Sequence, residues 1–331
     1  MSQSRGSPSR VAADADARRL KDQFAADVQY YLIQEPRQLP SRYLYDELGS
    51  ALFEAICRLP WYPITRAERR LLAGQRDVIL RRARPSTIVE LGSGSGEKLR
   101  LFLEGADHEA HPVEVHLVDL SVDALGQAAL TLAPLESLRV TPHAATYEAG
   151  LEAAARAFSP DDRVLVLFLG SNIGNFDRPS CEALLRGIHR QLRRGDALLL
   201  GGDLVKPEPV LRLAYDDPLG VTAAFNRNLL VRVNRELDGD FDVDAFAHRA
   251  VWNAPDSRVE MHLVAQRPQD IHIAAAGLSF SMDAGEPIWT ESSYKYRREE
   301  ISRLLETSGF RVTGQWVDED DLFALTLAHT V

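Results

Sequence analysis

Cysteine is almost absent: Cys57 and Cys181 are the only two in 331 residues. Two thiols supply neither a disulfide framework nor a cysteine-built zinc site, and they suit a reducing cytoplasm, where the protein is expected to work. Long apolar runs are missing too. None approaches the roughly 20 residues that cross a bilayer, so no membrane partner is expected. Basic residues are outnumbered, 38 Lys and Arg against 48 Asp and Glu, for a net charge of -10. A nucleic-acid groove needs a basic stripe, so that partner is not expected either. The histidines form no H-x-x-x-H pair, and no metal is expected. No internal repeat is visible. The first 18 residues, "MSQSRGSPSRVAADADAR", lack the apolar core of a signal peptide and read as a disordered tail.

Apolar residues make up 45% of the chain, enough for one large core with an elaboration. Strand-like runs recur at "STIVEL" (86–91), "VEVHLVDL" (113–120), "RVTPHA" (139–144), "RVLVLFLG" (163–170) and "DALLLGGDL" (196–204), with helix-like segments between them. That alternation predicts right-handed βαβ units and an α/β fold whose parallel sheet is covered on both faces. Later come a helix, "EEISRLLETSGF", and two strands, "RVTGQWVD" and "LFALTLAH", joined by an acidic turn. Strands so closely linked must be antiparallel. A Rossmann-like, mostly parallel sheet ending in such a hairpin resembles the class I methyltransferase fold. On this reading residues 67–204 and 296–331 form the main domain. Residues 19–66 and 205–295, with "VTAAFNRNLLVRVNREL" and "RVEMHLVAQ", form a smaller α+β substrate-binding domain.

The first of those strands runs into a glycine turn, "TIVELGSGSGEKLRLFLE" (87–104). A dinucleotide fingerprint would need a third glycine at position 97, which is Glu97. A glutamate suits the positive end of a helix but would repel a pyrophosphate docked there. "GEKL" does not complete a phosphate-binding Gly-Lys-Ser/Thr loop. S-adenosylmethionine (SAM) has no phosphate and carries a sulfonium cation beside an amino acid. Acidic Glu90 ahead of Gly92 and Gly94 suits it, and Asp119, ending the next strand, can accept two hydrogen bonds from a ribose. SAM is the expected cofactor.

Longer stretches speak to the substrate. "YLYDELGSALFEAICRLPWYPITRAE" (43–68), "ELGSGSGEK", "FLGSNIGNF", "DDPLGVTAAFNRNLLVRVNREL", "VEMHL" and "TESSYKY" together resemble the histidine-specific α-N-methyltransferases of ergothioneine biosynthesis, over nearly the whole chain from about residue 20. The resemblance implies SAM-dependent trimethylation of the α-amine of L-histidine to hercynine. It carries residues over by motif. Tyr62 stands beside cosubstrate and histidine, and Tyr45 near the substrate amine; with Asn175 these are the implied catalytic residues. Gly92, Gly94, Lys98 and Asp119 belong to the SAM site, with Thr146 and Tyr147 where the family has an adenine-binding Asp-Phe. Asn175 and Tyr215 match the pair on the histidine carboxylate, Glu291 and Ser293 the imidazole-binding pair, and Met261 and Phe53 the pocket walls. Pro63 stands where a second tyrosine is common, Asn172 where threonine is, and Gly96 where serine is.

The chemistry can be weighed independently. Methyl transfer is an in-line displacement by a neutral amine, so nitrogen, carbon and sulfur must be aligned. Asn175 and Tyr215 offer carboxylate donors without adding a cation, Glu291 can accept from an imidazole N–H, and Ser293 can donate to the other ring nitrogen. Each residue also has an ordinary structural reading. Tyr62 and Met261 could be core, Asn175 a helix cap, Lys98 a solvated surface charge and Glu291 an edge-strand charge. The competing functions are methylation of another aromatic amino acid such as tryptophan, an NAD-dependent oxidoreductase, and a non-catalytic SAM-binding protein. The chain is expected to act as a monomer on its small-molecule substrate.

Overall fold

The computed structural model describes residues 8–104 and 113–331. Of the expected disordered tail, residues 1–7 lie outside the described residues. The remainder is a correction, because helix α1 spans Pro8–Leu32. Alanine, the strongest helix former, supplies six of the sixteen residues of "VAADADARRLKDQFAA". The later helices are α2 (Glu47–Ile56), α3 (Pro63–Ala83), α4 (Glu97–Leu103), α5 (Val122–Leu132), α6 (Tyr147–Ala155), α7 (Arg178–Gln191), α8 (Glu208–Tyr215), α9 (Val221–Leu237) and α10 (Arg298–Thr307). The strands are β1 (Thr87–Leu91), β2 (Val113–Asp119), β3 (Leu138–Ala144), β4 (Val164–Phe168), β5 (Ala197–Asp203), β6 (Phe246–Asn253), β7 (Arg258–Ala265), β8 (Gln269–Ile273), β9 (Leu278–Met282), β10 (Pro287–Tyr294), β11 (Phe310–Asp318) and β12 (Phe323–Thr330).

The chain divides into two compact units. The larger comprises Glu54–Tyr215, Trp252–Val259 and Ser292–Val331. Its seven-stranded sheet has the order β11-β12-β5-β4-β1-β2-β3. The pairs from β5 through β4, β1 and β2 to β3 are all parallel, while β12 runs antiparallel to both β5 and β11. Every residue of β1, β4 and β5 is buried, as helices on both faces require of central parallel strands. The outermost parallel strand, β3, alternates toward solvent, and Pro142 is tolerated there because an edge strand can spare one N–H. At the acidic β11–β12 turn, Arg70 grips Asp318 at 2.8 Å and Asp321 at 2.7 Å, and Arg66 reaches Asp321 at 3.0 Å. Those pairs fasten α3 to the terminal hairpin, and the unit accordingly takes in residues from 54 onward instead of 67.

The smaller unit comprises the residues to Phe53, Asp216–Val251 and Glu260–Glu291. It contains α1, most of α2, α9 and the antiparallel β8–β9 ribbon, and it holds most of the three-stranded sheet β10-β7-β6. Asp46 ties its segments together, accepting from Gly49 N at 2.8 Å, Asn228 Nδ2 at 2.7 Å and Arg235 at 2.6 Å. Its second segment starts at Asp216 instead of 205, because the amphipathic α8 buries Leu211, Ala214 and Tyr215 within the larger unit.

Candidate active site

In the larger unit, β1 ends in a turn built by conformation as much as by composition. Gly92 has φ of 78°, and a Cβ there would lie 2.6 Å from Asn172 Nδ2 and 3.2 Å from the Tyr147 hydroxyl oxygen. Only glycine fits so close an approach. Gly94 has φ of 49°, yet among the described residues, apart from Gly94 itself and its chain neighbours, no atom lies within 4 Å of where its Cβ would point. The turn is therefore packed on one side and open at Gly94. Asp119, half-buried at the end of β2, braces it: Oδ2 accepts from Gly94 N at 3.0 Å and Oδ1 from Ser121 N at 2.9 Å. Each carboxylate oxygen keeps a lone pair for a ribose hydroxyl.

Beneath the turn lies Glu90, 1% exposed, whose two carboxylate oxygens have no hydrogen-bond partner. Burial pushes its pKa from 4.5 up to about 8; Lys98 opposes the shift, while Glu68 and Asp119 add to it. A buried acid without a partner, beside an open glycine cradle and a carboxylate facing it, fits a cationic nucleoside such as SAM and not a pyrophosphate. Lys98 is not the solvated charge that its place on the first turn of α4 suggests. Its ammonium pairs at 3.0 Å with Glu68, which is fully buried and also accepts from Gly170 N at 2.7 and 2.9 Å. Burial alone would lower the Lys98 pKa, but Glu68 and Glu90 hold it above its ordinary value. Glu68 was not legible as a site residue, because one glutamate in "TRAERR" reads as helix surface.

Asn172 and Asn175 bound a single turn of 3₁₀ helix after β4, preceded by Ser171 in the left-handed region at φ of 57°. Asn175 is exposed at the end of that turn and does not cap α7. The cap is Asp177, whose carboxylate accepts from Ser180 N at 2.8 Å. Thr146 caps α6, its hydroxyl accepting from Ala149 N at 3.4 Å. Tyr147 presses its ring against Phe168, 5.2 Å between centroids, and burial raises its hydroxyl pKa. Thr146 and Tyr147 thus have structural duties beside β3, where the sequence places adenine recognition.

Tyr62 is the N-cap position of α3, and Pro63 fills the first helical position, where the missing N–H goes unnoticed. The Tyr62 ring meets that of Tyr215 edge-on at 6.2 Å. Tyr215 in turn donates to Ser293 Oγ at 2.8 Å. Behind them stands Lys295, with no exposed surface, whose ammonium donates to Tyr215 Oη (2.7 Å), Ser293 Oγ (2.9 Å) and Asp203 Oδ2 (2.9 Å). The other oxygen of Asp203 takes Lys206 at 2.6 Å. Burial works against the Lys295 charge, but Asp203 and then Tyr215 raise its pKa to about 12. Asn175 and Tyr215 add no cation of their own, but Lys295 places one beside Tyr215. Lysine in "SYKY" follows a strand and reads as surface; only the return of β5 beside it makes it core.

In the smaller unit, Tyr45 and Phe53 pack edge to face at 5.5 Å, and both touch the buried ring of Phe225, at 5.5 and 5.9 Å. Met261 is 1% exposed on β7, its carbonyl accepting from Thr290 Oγ1 at 3.0 Å. Glu291 is half-buried on β10, its own carbonyl accepting from Trp289 Nε1 at 2.8 Å. No group of three or more metal-ligating side chains forms among the described residues.

The order β3-β2-β1-β4-β5-β12-β11 with β12 antiparallel to both its neighbours, the glycine turn after β1 and the acid ending β2 define a class I SAM-dependent methyltransferase. The sequence profile of one family, "Histidine-specific methyltransferase, SAM-dependent", matches residues 24–330. The chain belongs to that family. A histidine N-alpha-methyltransferase of Mycobacterium tuberculosis is 39% identical over 303 residues, covering 91% of this chain and 93% of the other. A protein of the same name from Mycolicibacterium smegmatis is 40% identical over 321 residues, covering 96% and 97%. Ergothioneine biosynthesis protein 1 of Schizosaccharomyces pombe is 28% identical over 289 residues, which are 84% of this chain and 37% of that protein.

Proposed function

We propose that the chain methylates the α-amine of L-histidine with SAM, carrying it to the trimethylated betaine hercynine for ergothioneine biosynthesis. The match of residues 24–330 to the histidine-specific family carries this reading. SAM, when bound, supplies an electrophilic methyl group on sulfur. The protein's part is to hold two ligands in line and to receive the amine unprotonated. In our reading the open face at Gly94, Asp119 and the buried Glu90 hold the cosubstrate, while Lys98 fixes Glu68 and the turn from below. Asn175 and Tyr215 take the histidine carboxylate; Glu291 and Ser293 take the ring; Met261 and Phe53 provide apolar walls; Tyr45 and Tyr62 orient the amine.

None of these groups is a strong base, so the amine must lose its proton to solvent. Single-turnover rates should then rise from about pH 6 to about pH 9, following the substrate amine. The deciding experiment offers SAM with each of the twenty amino acids and follows the products by mass. Histidine gaining three methyl groups supports the assignment. Tryptophan gaining them in preference would replace the substrate and leave the methyltransferase in place.

A further inference from the structure

The glycine turn and Asp119 lie at the carboxyl ends of β1 and β2. At the opposite end of the sheet, arginine stands where the strands begin. Arg84 precedes β1, Arg163 precedes β4, Arg193 and Arg194 precede β5, and Arg311 is the second residue of β11. The register draws them into one row. Thr87 pairs with Val164 and Leu165 with Ala197, so Arg163 lies beside the Arg194–Gly195 turn, its guanidinium in the space a Cβ on Gly195 would take. Ala197 pairs with His329, and His329 with Arg311. Across the neighbouring strands β11, β12, β5, β4 and β1 the row runs for about 19 Å. Arg82, in the last turn of α3, extends it over the ring of Trp316, 5.7 Å from the centroid.

All six arginines are exposed, and none stands within ion-pair distance of a carboxylate among the described residues. Elsewhere arginines are paired: Arg70 with Asp318, Arg139 with Glu114, Arg186 with Glu182 and Arg298 with Glu319. Two acids near the row are turned to other donors. Asp162 accepts from Ser159 N and Ser86 Oγ, and Asp196 from Val164 N and Arg193 N. Burial lowers the His329 pKa against the Arg82 backbone, and Arg311, Arg82 and Arg163 lower it further, so their potential reaches the middle of the row. A helix dipole accounts for Arg82, but not for arginines that lead into strands. Like charges gathered without counter-charges repel one another in the free protein and gain most from an anion brought from outside.

We propose that this edge docks a short acidic segment of another protein. The net charge of -10 makes the rest of the surface repel a nucleic-acid duplex or an anionic bilayer, whose charge extends well beyond the row. An extended segment of about six residues matches the row in length. Docking there leaves the glycine turn free, because β1, about 16 Å long, separates the two. It does not depend on which amino acid is methylated.

The test is the fluorescence anisotropy of labelled hexaglutamate titrated with the full chain. Hexaglutamate should bind, less tightly as salt rises, and hexaglutamine should not. The triple variant Arg163→Gln, Arg194→Gln, Arg311→Gln should weaken binding about tenfold or more. Its SAM affinity should stay within about twofold, and its melting temperature should equal or exceed that of wild type. Arg194→Gln and Arg311→Gln alone, each weakening binding about two- to threefold, carry the comparison should the triple variant not fold. A wild type that ignores hexaglutamate overturns the docking surface, as does a triple variant that binds it unchanged. Tighter binding of hexathymidylate or of phosphatidylserine vesicles through the same arginines would put another partner in place of the protein, and that outcome also overturns the proposal.

Discussion

Removing the Asp119 carboxylate should cost more than two ribose contacts, because the same oxygens receive Gly94 and Ser121 N–H groups and shape the turn. Each charge-assisted bond is worth about 1.5–3 kcal/mol. Asp119→Ala should therefore lower SAM affinity at least about tenfold by calorimetry and leave histidine binding nearly unchanged; unchanged SAM affinity would refute the role. Glu90 makes a prediction in pH. Its folded pKa of about 8 exceeds the ordinary 4.5, so the folded chain keeps a proton that the unfolded chain releases. Its contribution is whole below about pH 4.5 and is lost as pH rises through about 8, on the order of 5 kcal/mol. Glu90→Gln without ligand should match wild type in melting temperature near about pH 4 and exceed it increasingly toward about pH 9. A gap independent of pH contradicts this. Glu291 speaks to substrate choice. Beside a phenylalanine or leucine side chain its carboxylate loses the imidazole N–H, a penalty of roughly 1–3 kcal/mol, while an indole offers one donor and no second polar nitrogen. Glu291→Ala should lower kcat/KM for histidine by about one to two orders of magnitude and spare tryptophan. Equal losses would mean that Glu291 does not read the ring.

Elements decide how residues such as these meet. Gly92 and Gly94 share one turn and a positive φ, but only Gly92 is crowded by Asn172 and Tyr147. Gly92→Ala should lower both melting temperature and SAM affinity. Gly94→Ala should cost about 1 kcal/mol of backbone strain while its methyl obstructs the open face, so SAM affinity falls further than stability does. Equal behaviour of the two variants would show that the open side is not where SAM lies. The strands and helices were legible because each has its own period: "VTAAFNRNLLVRVNREL" is α9 residue for residue, and the apolar runs are β1 to β5. Asp119 and the glycine turn were legible because strand, turn and acid are contiguous. Lys295 and Glu68 were not. A buried charge is recognisable only by its partner, and Asp203 lies 92 positions before Lys295, Gly170 102 positions after Glu68. The tail was misread because a helix of alanine and alternating charges has no apolar stripe to announce it.

At the scale of the whole molecule, the scarcity of cysteine becomes measurable. Cys57 is partly buried and Cys181 fully buried, and burial raises their thiols to about 11 and about 12. The thiolate is the nucleophile, so iodoacetamide at neutral pH should leave the native mass unchanged and add two alkyl groups only after denaturation. Rapid modification of the native protein would contradict that burial. The strand order has a consequence in time. β12 lies between β5 and β11, and the smaller unit is assembled from three separated segments, the last ending at Glu291. On a ribosome, β5 would wait with one edge bare until residues 323–330 emerged, more than a hundred positions later. Nascent chains stalled before Phe323 should therefore stay sensitive to protease and depend on chaperones to shield that edge.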